Sequence, residues 1–351
     1  MVDFMNFENY SCDNQMSIFD FTREPISITK PIRLIELFAG YGSQAMALKR
    51  IGAKFEHYRV VEFDKYAIAS YNAVHGTDFP TMDITKVHAE DLNICGTETF
   101  TYLLTYSFPC TDLSVAGKQA GMSKGSGTRS GLLWEVERIL TEIRDSNGEL
   151  PQILFMENVP QVHSQDNMPD FIKWLDFLES LGYTNYYQDL NAKNYGVAQK
   201  RERCFMFSFL DECNYNFPQP IQLTKRIRDY QEKVVDNKFY ASDNALKGFA
   251  EHAKKQKEKG NCFHAVIKDV DDISPTITAR YCKDGSDCLI KVAGRIRKLT
   301  PRECGRLMGV SDEDIDKMAE VNSNTQLYKQ FGNSIVVDVM CAMFKNLNIN
   351  Q

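Results

Sequence analysis

Apolar runs and apolar spacings divide the chain into elements. Ile32-Arg33-Leu34-Ile35-Glu36-Leu37 predicts a buried strand that enters the turn Phe38-Ala39-Gly40-Tyr41-Gly42-Ser43. A helix follows over roughly 44–51 and ends at Gly52. Residues 58–61 predict the next strand, which stops at Glu62, and a further sheet segment is expected before Asp83. Thr101-Tyr102-Leu103-Leu104-Thr105-Tyr106, β-branched and aromatic, reads as a short buried strand. Leu132, Leu133, Val136, Ile139, Leu140 and Ile143 recur at helical spacing, so most of them belong to the core. Ile153-Leu154-Phe155-Met156 predicts a fully buried strand, 170–181 an amphipathic helix and 204–209 another strand.

Beyond Phe209 the pattern becomes polar and irregular, with Pro218 and Pro220 marking a boundary and a smaller lobe expected up to about Val292. Thr300-Pro301-Arg302-Glu303 has the signature of a capped helix start: Thr300 as N-cap, proline in the first position, Glu303 completing a capping box. Phe331-Gly332-Asn333-Ser334 precedes a last apolar helix. Residues 1–30 lack periodicity and read as a loosely packed arm anchored by Phe4, Phe7, Phe19 and Phe21. The organisation expected is an arm (1–30), a main α/β domain (31–210), an inserted lobe (211–296), a hinge segment (297–325) and a returning C-terminal helix (326–351).

Composition changes this picture little. The 351 residues, 43% apolar and 25% charged, suit an ordinary soluble protein. No apolar run approaches the roughly 18–20 residues of a membrane span, and the start lacks the basic residues of a signal peptide. Ten scattered cysteines include no C-x-x-C pair, and no histidine joins Cys282 and Cys288 in a zinc-like spacing. Reduced thiols in a cytoplasmic protein, with no metal, are expected. Charge matters more. Residues 193–306 hold 23 Lys/Arg against 15 Asp/Glu, a net of +8, whereas the remainder carries −14 within a total of −6. A basic lobe on an acidic body suits a nucleic-acid partner, although a solvated lysine-rich face around 254–259 explains part of it.

The candidate chemistry lies just past the strand ends. Cys110 follows the 101–106 strand in Ser107-Phe108-Pro109-Cys110-Thr111-Asp112-Leu113-Ser114-Val115-Ala116-Gly117, where an α/β sheet places its working residues. A thiol there, stiffened by Pro109, is a candidate nucleophile; a lone cysteine is more often a small buried hydrophobe. Glu157, in Glu157-Asn158-Val159-Pro160, follows the 153–156 strand and would stand on the same sheet edge as a proton donor. Gln199, Arg201 and Arg203 alternate into the next strand, so they are expected to converge as a clamp for carbonyl or phosphate oxygens. Strand, glycine turn and helix at 32–51 make a nucleotide-binding opening, with Glu62 placed to accept from ribose hydroxyls. Ala45 occupies the place of the third glycine of a dinucleotide fingerprint, so another adenosine-bearing cofactor is favoured over NAD. Asp83 is balanced between bonding an adenine amino group and capping a turn.

Together, the stretches beginning at Phe38, Glu62, Asp83, Pro109, Glu157, Gln199, Arg297 and Gly332 resemble the ordered motifs of the bacterial and phage DNA (cytosine-5)-methyltransferases. The resemblance runs from Pro31 to the C-terminus, except in the variable lobe. Ser107, Thr111 and Leu113 depart from the residues frequent in that family without removing a catalytic group.

The resemblance implies a Rossmann-like S-adenosylmethionine-dependent methyltransferase sheet with an inserted target-recognition domain. Phe38, Gly40 and Gly42 would pack on S-adenosylmethionine, Glu62 would hold its ribose, Asp83 and Ile84 its adenine, and Pro109, Leu133 and Asn333 would line the pocket. Cys110 would add to C6 of a flipped cytosine, Glu157 would hold N3, and Arg203, aided by Arg201, O2. Ser114, Gln199 and Arg297 would face the base or the DNA. Nearby Arg201 and Arg203 would favour the thiolate. Double-stranded DNA is the implied partner and a monomeric chain is expected, either beside a companion restriction endonuclease or as a solitary phage or prophage methylase. A tRNA cytosine-5 methyltransferase, a non-catalytic DNA-binding regulator and a nicotinamide oxidoreductase are the competing readings.

Overall fold

Residues 24–114, 120–258, 265–283 and 285–349 are described in the computed structural model. Most of the expected N-terminal arm, including its four phenylalanine anchors, lies outside them, as do Val115, Ala116 and Gly117. Strands β1 (Ile32–Leu37), β2 (Phe55–Val61), β3 (Thr101–Tyr106), β4 (Ile153–Asn158), β5 (Thr184–Asn191) and β6 (Glu202–Phe209) form one sheet in the order β2-β1-β3-β4-β6-β5. Strands β1 to β4 are mutually parallel, and β6 runs antiparallel to both β4 and β5.

Every residue of β3 and β4 is buried, which explains their unbroken apolar sequences. Successive side chains alternate between two cores. Leu34, Leu103, Phe155 and Phe207 pack on one face with Phe344 from the last helix. Ile35, Leu104, Leu154, Met156 and Met206 pack on the other with Ile139 and Trp174. The sheet segment expected before Asp83 does not form: residues 77–83 are irregular, and the chain reaches Asp83 with Met82 N–H donating to the Glu62 carbonyl at 2.8 Å.

Three short strands, β7 (Ile267–Asp269), β8 (Leu289–Val292) and β9 (Arg295–Lys298), build a second sheet in sequence order. The boundary expected after residue 296 therefore cuts through β9. The irregular stretch also contains the α-helix Asp243–Glu258 and, among the described residues, several short 3-10 turns. Tyr281 links the small sheet to the body, its hydroxyl donating to the Cys288 carbonyl and accepting from Leu299 N–H, both at 2.7 Å. The capping box forms as read, with Thr300 Oγ1 accepting from Glu303 N–H and the Glu303 carboxylate from Thr300 N–H.

The chain end returns to its beginning. Helix Val337–Lys345 packs on helix Ser43–Arg50, which follows the glycine turn, and the Ser43 and Ser334 hydroxyls share a 2.5 Å hydrogen bond. At Gly332 a Cβ would overlap the backbone of Thr278 and Ala279, so only glycine allows the helix Asn324–Asn333 to close on that segment. Among the described residues no helix is long and apolar enough to cross a membrane.

Candidate active site

Parallel pairing of β3 with β4 sets Tyr106 beside Met156, so the loop carrying Cys110 and the residue Glu157 emerge on the same sheet edge. Two fastenings hold the cysteine loop. Asn158 Nδ2 donates to the Phe108 carbonyl at 3.0 Å, and Ser130 Oγ donates to the Pro109 carbonyl at 2.6 Å. Asp112 continues the second fastening, accepting from Arg129 N–H at 2.8 Å. Cys110 is half-buried; its carbonyl accepts from the amides of Leu113 and Ser114. Burial pushes the Cys110 thiol up, Arg203 and Arg201 pull it down, and the Glu157 charge pushes it up again. The arginines act in the direction expected, toward the thiolate, but burial is the larger effect and leaves the thiol above its ordinary value.

Glu157 is buried and its carboxyl is raised by desolvation against the pull of Arg203 and Arg201. Arg203 Nε lies 3.1 Å from Glu157 Oε1. A carboxyl so placed holds a proton more readily than one in water, as a donor to a ring nitrogen requires.

The three-residue clamp does not assemble as expected, because β6 begins only at Glu202. Gln199 is wholly buried, its Oε1 accepting from Ile277 N–H at 3.1 Å and its Nε2 donating to the Leu307 carbonyl at 2.9 Å. Arg201, also buried, donates Nη1 to the Ile277 carbonyl and Nη2 to the carbonyls of Gly332 and Ser334. Both side chains join the chain's segments; of the three, Arg203 touches the carboxylate, while the charge of Arg201 still acts on Glu157 and Cys110. Arg297, expected toward DNA, is 1% exposed and forms a two-pronged pair with Glu303 at 2.7 Å in each prong. Strand alternation and a positive charge could not distinguish such internal ties from an exposed contact.

The second half of the edge is formed by the turn after β1. Phe38, Gly40 and Gly42 all take positive φ (59°, 59° and 80°). At Gly42 a Cβ would overlap His75 and Tyr71; at Gly40 nothing lies within 4 Å, so the backbone there borders open space. Glu62, at the end of β2, accepts from Gly40 N–H at 2.8 Å through one oxygen and from Asp64 N–H at 2.7 Å through the other. A carboxylate accepts about four hydrogen bonds, so both oxygens keep capacity for a ligand diol. Asp83 realises the capping alternative, accepting from Thr85 N–H and Oγ1, and Ile84 is buried beside it. Leu133 is wholly buried in the core cluster against which Phe38 and Cys110 pack. Pro109 is half-buried beside Cys110, while Asn333 is exposed at the end of its helix.

Phe63 was missing from the expected set. It is 75% exposed immediately after Glu62, an aromatic face standing open at the sheet edge, and a lone phenylalanine between two carboxylates was the only signal in sequence.

The comparisons agree with this geometry. Residues 32–348 match the family model described as C-5 cytosine-specific DNA methylase. The Type II methyltransferase M2.ScrFI of Lactococcus lactis subsp. cremoris is 33% identical, the match covering 91% of this chain and 100% of that protein. The Type II methyltransferase M.SsoII of Shigella sonnei is 35% identical over 90% of this chain and 79% of its own. Among solved structures, the S. pombe Dnmt2 methyltransferase superposes with a TM-score of 0.70 over 90% of this chain and 98% of its own at 20% identity, a likeness of fold. A family model spanning both sheets, the glycine turn and the Cys110 and Glu157 edge leaves one assignment: the chain belongs to the C-5 cytosine-specific DNA methylase family.

Proposed function

We propose that this chain transfers the methyl group of S-adenosylmethionine to C5 of a cytosine turned out of duplex DNA, with Cys110 as nucleophile. The observation that carries the reading is the meeting of Cys110 and Glu157 on one edge of adjacent parallel strands, with Arg203 on the carboxyl.

Cytosine C5 is a weak nucleophile. Cys110 gives up its thiol proton to solvent and its sulfur adds to C6, while a proton from Glu157 passes to N3; C5 becomes an enamine carbon. Arg203 is placed to steady O2 as charge shifts through the ring. A protonated Glu157 also removes the negative charge that opposes ionisation of Cys110, so each group's reactive form favours the other's. When bound, S-adenosylmethionine supplies the electrophilic methyl that C5 takes. Loss of the C5 proton, departure of Cys110 and return of the N3 proton to Glu157 then restore the ring.

The turn and strand end suit that cofactor. Gly40 opens onto free space, Glu62 retains acceptor capacity, and Phe63 offers a face to a flat ring. Glu62 would hold the ribose hydroxyls, with Phe38, Asp83 and Ile84 toward the base and Pro109 and Leu133 behind the methyl. Asn333 completes the rim in this reading.

For DNA, residues 211–298, to the end of β9, form the recognition lobe, 31–210 the catalytic body, 299–325 the connection and 326–351 the returning helix. Lysines and arginines of the basic region meet phosphates, and Ser114 lies on the DNA side of the Cys110 loop. Their contacts offset the few kcal/mol that turning out a base costs. A companion restriction endonuclease belongs to this proposal, supported by relatives named Type II methyltransferases.

Duplex DNA carrying 5-fluorocytosine at the target tests the assignment. Fluorine cannot leave as the C5 proton does, so an adduct that survives denaturation should form with S-adenosylmethionine present and map to Cys110. Unmodified duplex DNA, and not tRNA, should accept methyl groups. An adduct at another cysteine, or turnover by Cys110→Ala, would overturn the mechanism.

A further inference from the structure

Three side chains far apart in sequence meet behind the base-binding edge. His163 lies in the turn after β4, Asp189 in β5 and Cys204 in β6, and their ligand atoms all lie within 4.8 Å of one another. Asp189 and Cys204 are direct partners in the β5–β6 register. The His163 ring sits against Phe171 and Tyr187, with centroids 6.0 Å from each, and its Nε2 is 2.9 Å from Asp189 Oδ1. We infer that this trio is a binding site for a borderline-soft divalent ion, Zn²⁺ in the first instance, separate from the methyl-transfer chemistry and independent of that reading.

The geometry is close to what such an ion needs. Taking 2.9 Å for one side and 4.8 Å for the other two, the point equidistant from the three atoms lies about 2.5 Å from each, against about 2.0–2.3 Å for zinc bonds to N, O and S. Small rotamer changes close that gap. Imidazole, carboxylate and thiolate together select zinc-like ions over Mg²⁺ and Ca²⁺, which take oxygen. Cys204 is buried, whereas the side chains of His163 and Asp189 are 21% and 32% exposed, so the fourth position opens to water. The ion would take the place of the proton between Nε2 and Oδ1 and displace the thiol proton.

The location gives the site a consequence. Cys204 is flanked in register by Asp189 on one side and by Asn158 on the other. Asn158 is the residue that fastens the Phe108 carbonyl of the Cys110 loop, and Arg203 precedes Cys204. An ion bound here braces the strand rung that carries Asn158, one of the two fastenings of the Cys110 loop, and that adjoins Arg203.

The test uses the full chain with Cys110→Ala, which removes the thiol of the DNA site. Titration with Zn²⁺ against a chromophoric chelator should show one ion per chain, and Co²⁺ should give a thiolate-to-cobalt charge-transfer band. His163→Gln and Asp189→Asn, both at half-exposed positions, should weaken Zn²⁺ about tenfold or more. Cys204→Ser should remove the band. Failure to bind Zn²⁺, affinity unchanged in His163→Gln and Asp189→Asn, or a band surviving Cys204→Ser would overturn the proposal.

Discussion

The exchange of a proton between two residues decides the chemistry at the sheet edge. Burial raises the Glu157 carboxyl and the Cys110 thiol alike, each toward its protonated form. Only one of these protons is useful where it is. Glu157→Gln keeps the shape and the contact to Arg203 but has no proton to give to N3, so methyl transfer should slow by about 10²–10⁴. Single-turnover rates would check this. Binding of duplex DNA by the same variant should be preserved, because the basic lobe is untouched; an unchanged rate would remove Glu157 from the chemistry.

Among elements, what was legible in sequence follows burial. Strands β1, β3, β4 and β6 are buried almost throughout, so their apolar runs identified them within a residue or two. Strand β5 escaped notice because it is the sheet edge: Thr184–Asn191 is half-exposed and polar, and only Leu190 is fully buried. The glycine turn was readable, but the division of labour within it was not, since that depends on what lies opposite each α-carbon. Gly42 is required by packing against His75 and Tyr71, whereas Gly40 borders open space. The two alanine variants should therefore separate. Gly42→Ala should lower the melting temperature, combining about 1–2 kcal/mol of left-handed strain with the overlap. Gly40→Ala bears only the strain but should weaken S-adenosylmethionine binding more than it weakens the fold. Thermal melts and calorimetry on both would show it, and equal effects on stability would contradict the distinction.

For the whole molecule, charge behaves differently inside and outside. The +8 and −14 division was visible in sequence, yet Arg201 and Arg297, two members of the basic region, turn inward. Glu36 shows the opposite sign of the same effect. It is wholly buried in β1, accepts from Tyr71 Oη at 2.5 Å, and burial pushes its carboxyl up to about 7. An unfolded glutamate ionises near pH 4.3, so between about 4.3 and 7 the folded chain binds the extra proton. Stability should fall as pH rises through that window and level off above it, by about 4 kcal/mol in full for a shift of this size. Urea unfolding across about pH 5 to 8 should show this slope, flattened in Glu36→Gln. A variant with the parent's slope would mean that Glu36 is not the group responsible.

The closing contact between Ser43 and Ser334 spans 291 positions of chain. It has a meaning in time as well as in space. A ribosome adds residues one after another, and the glycine turn leaves it long before the segment that locks the turn in place. Arg201, too, waits for the carbonyls of Gly332 and Ser334. Until nearly the last residues emerge, the nascent polypeptide holds its nucleophile without the frame that makes it effective. Contacts of such long separation also form slowly. A chain ending before Gly332 would lack these contacts and is expected to transfer no methyl groups in an incorporation assay.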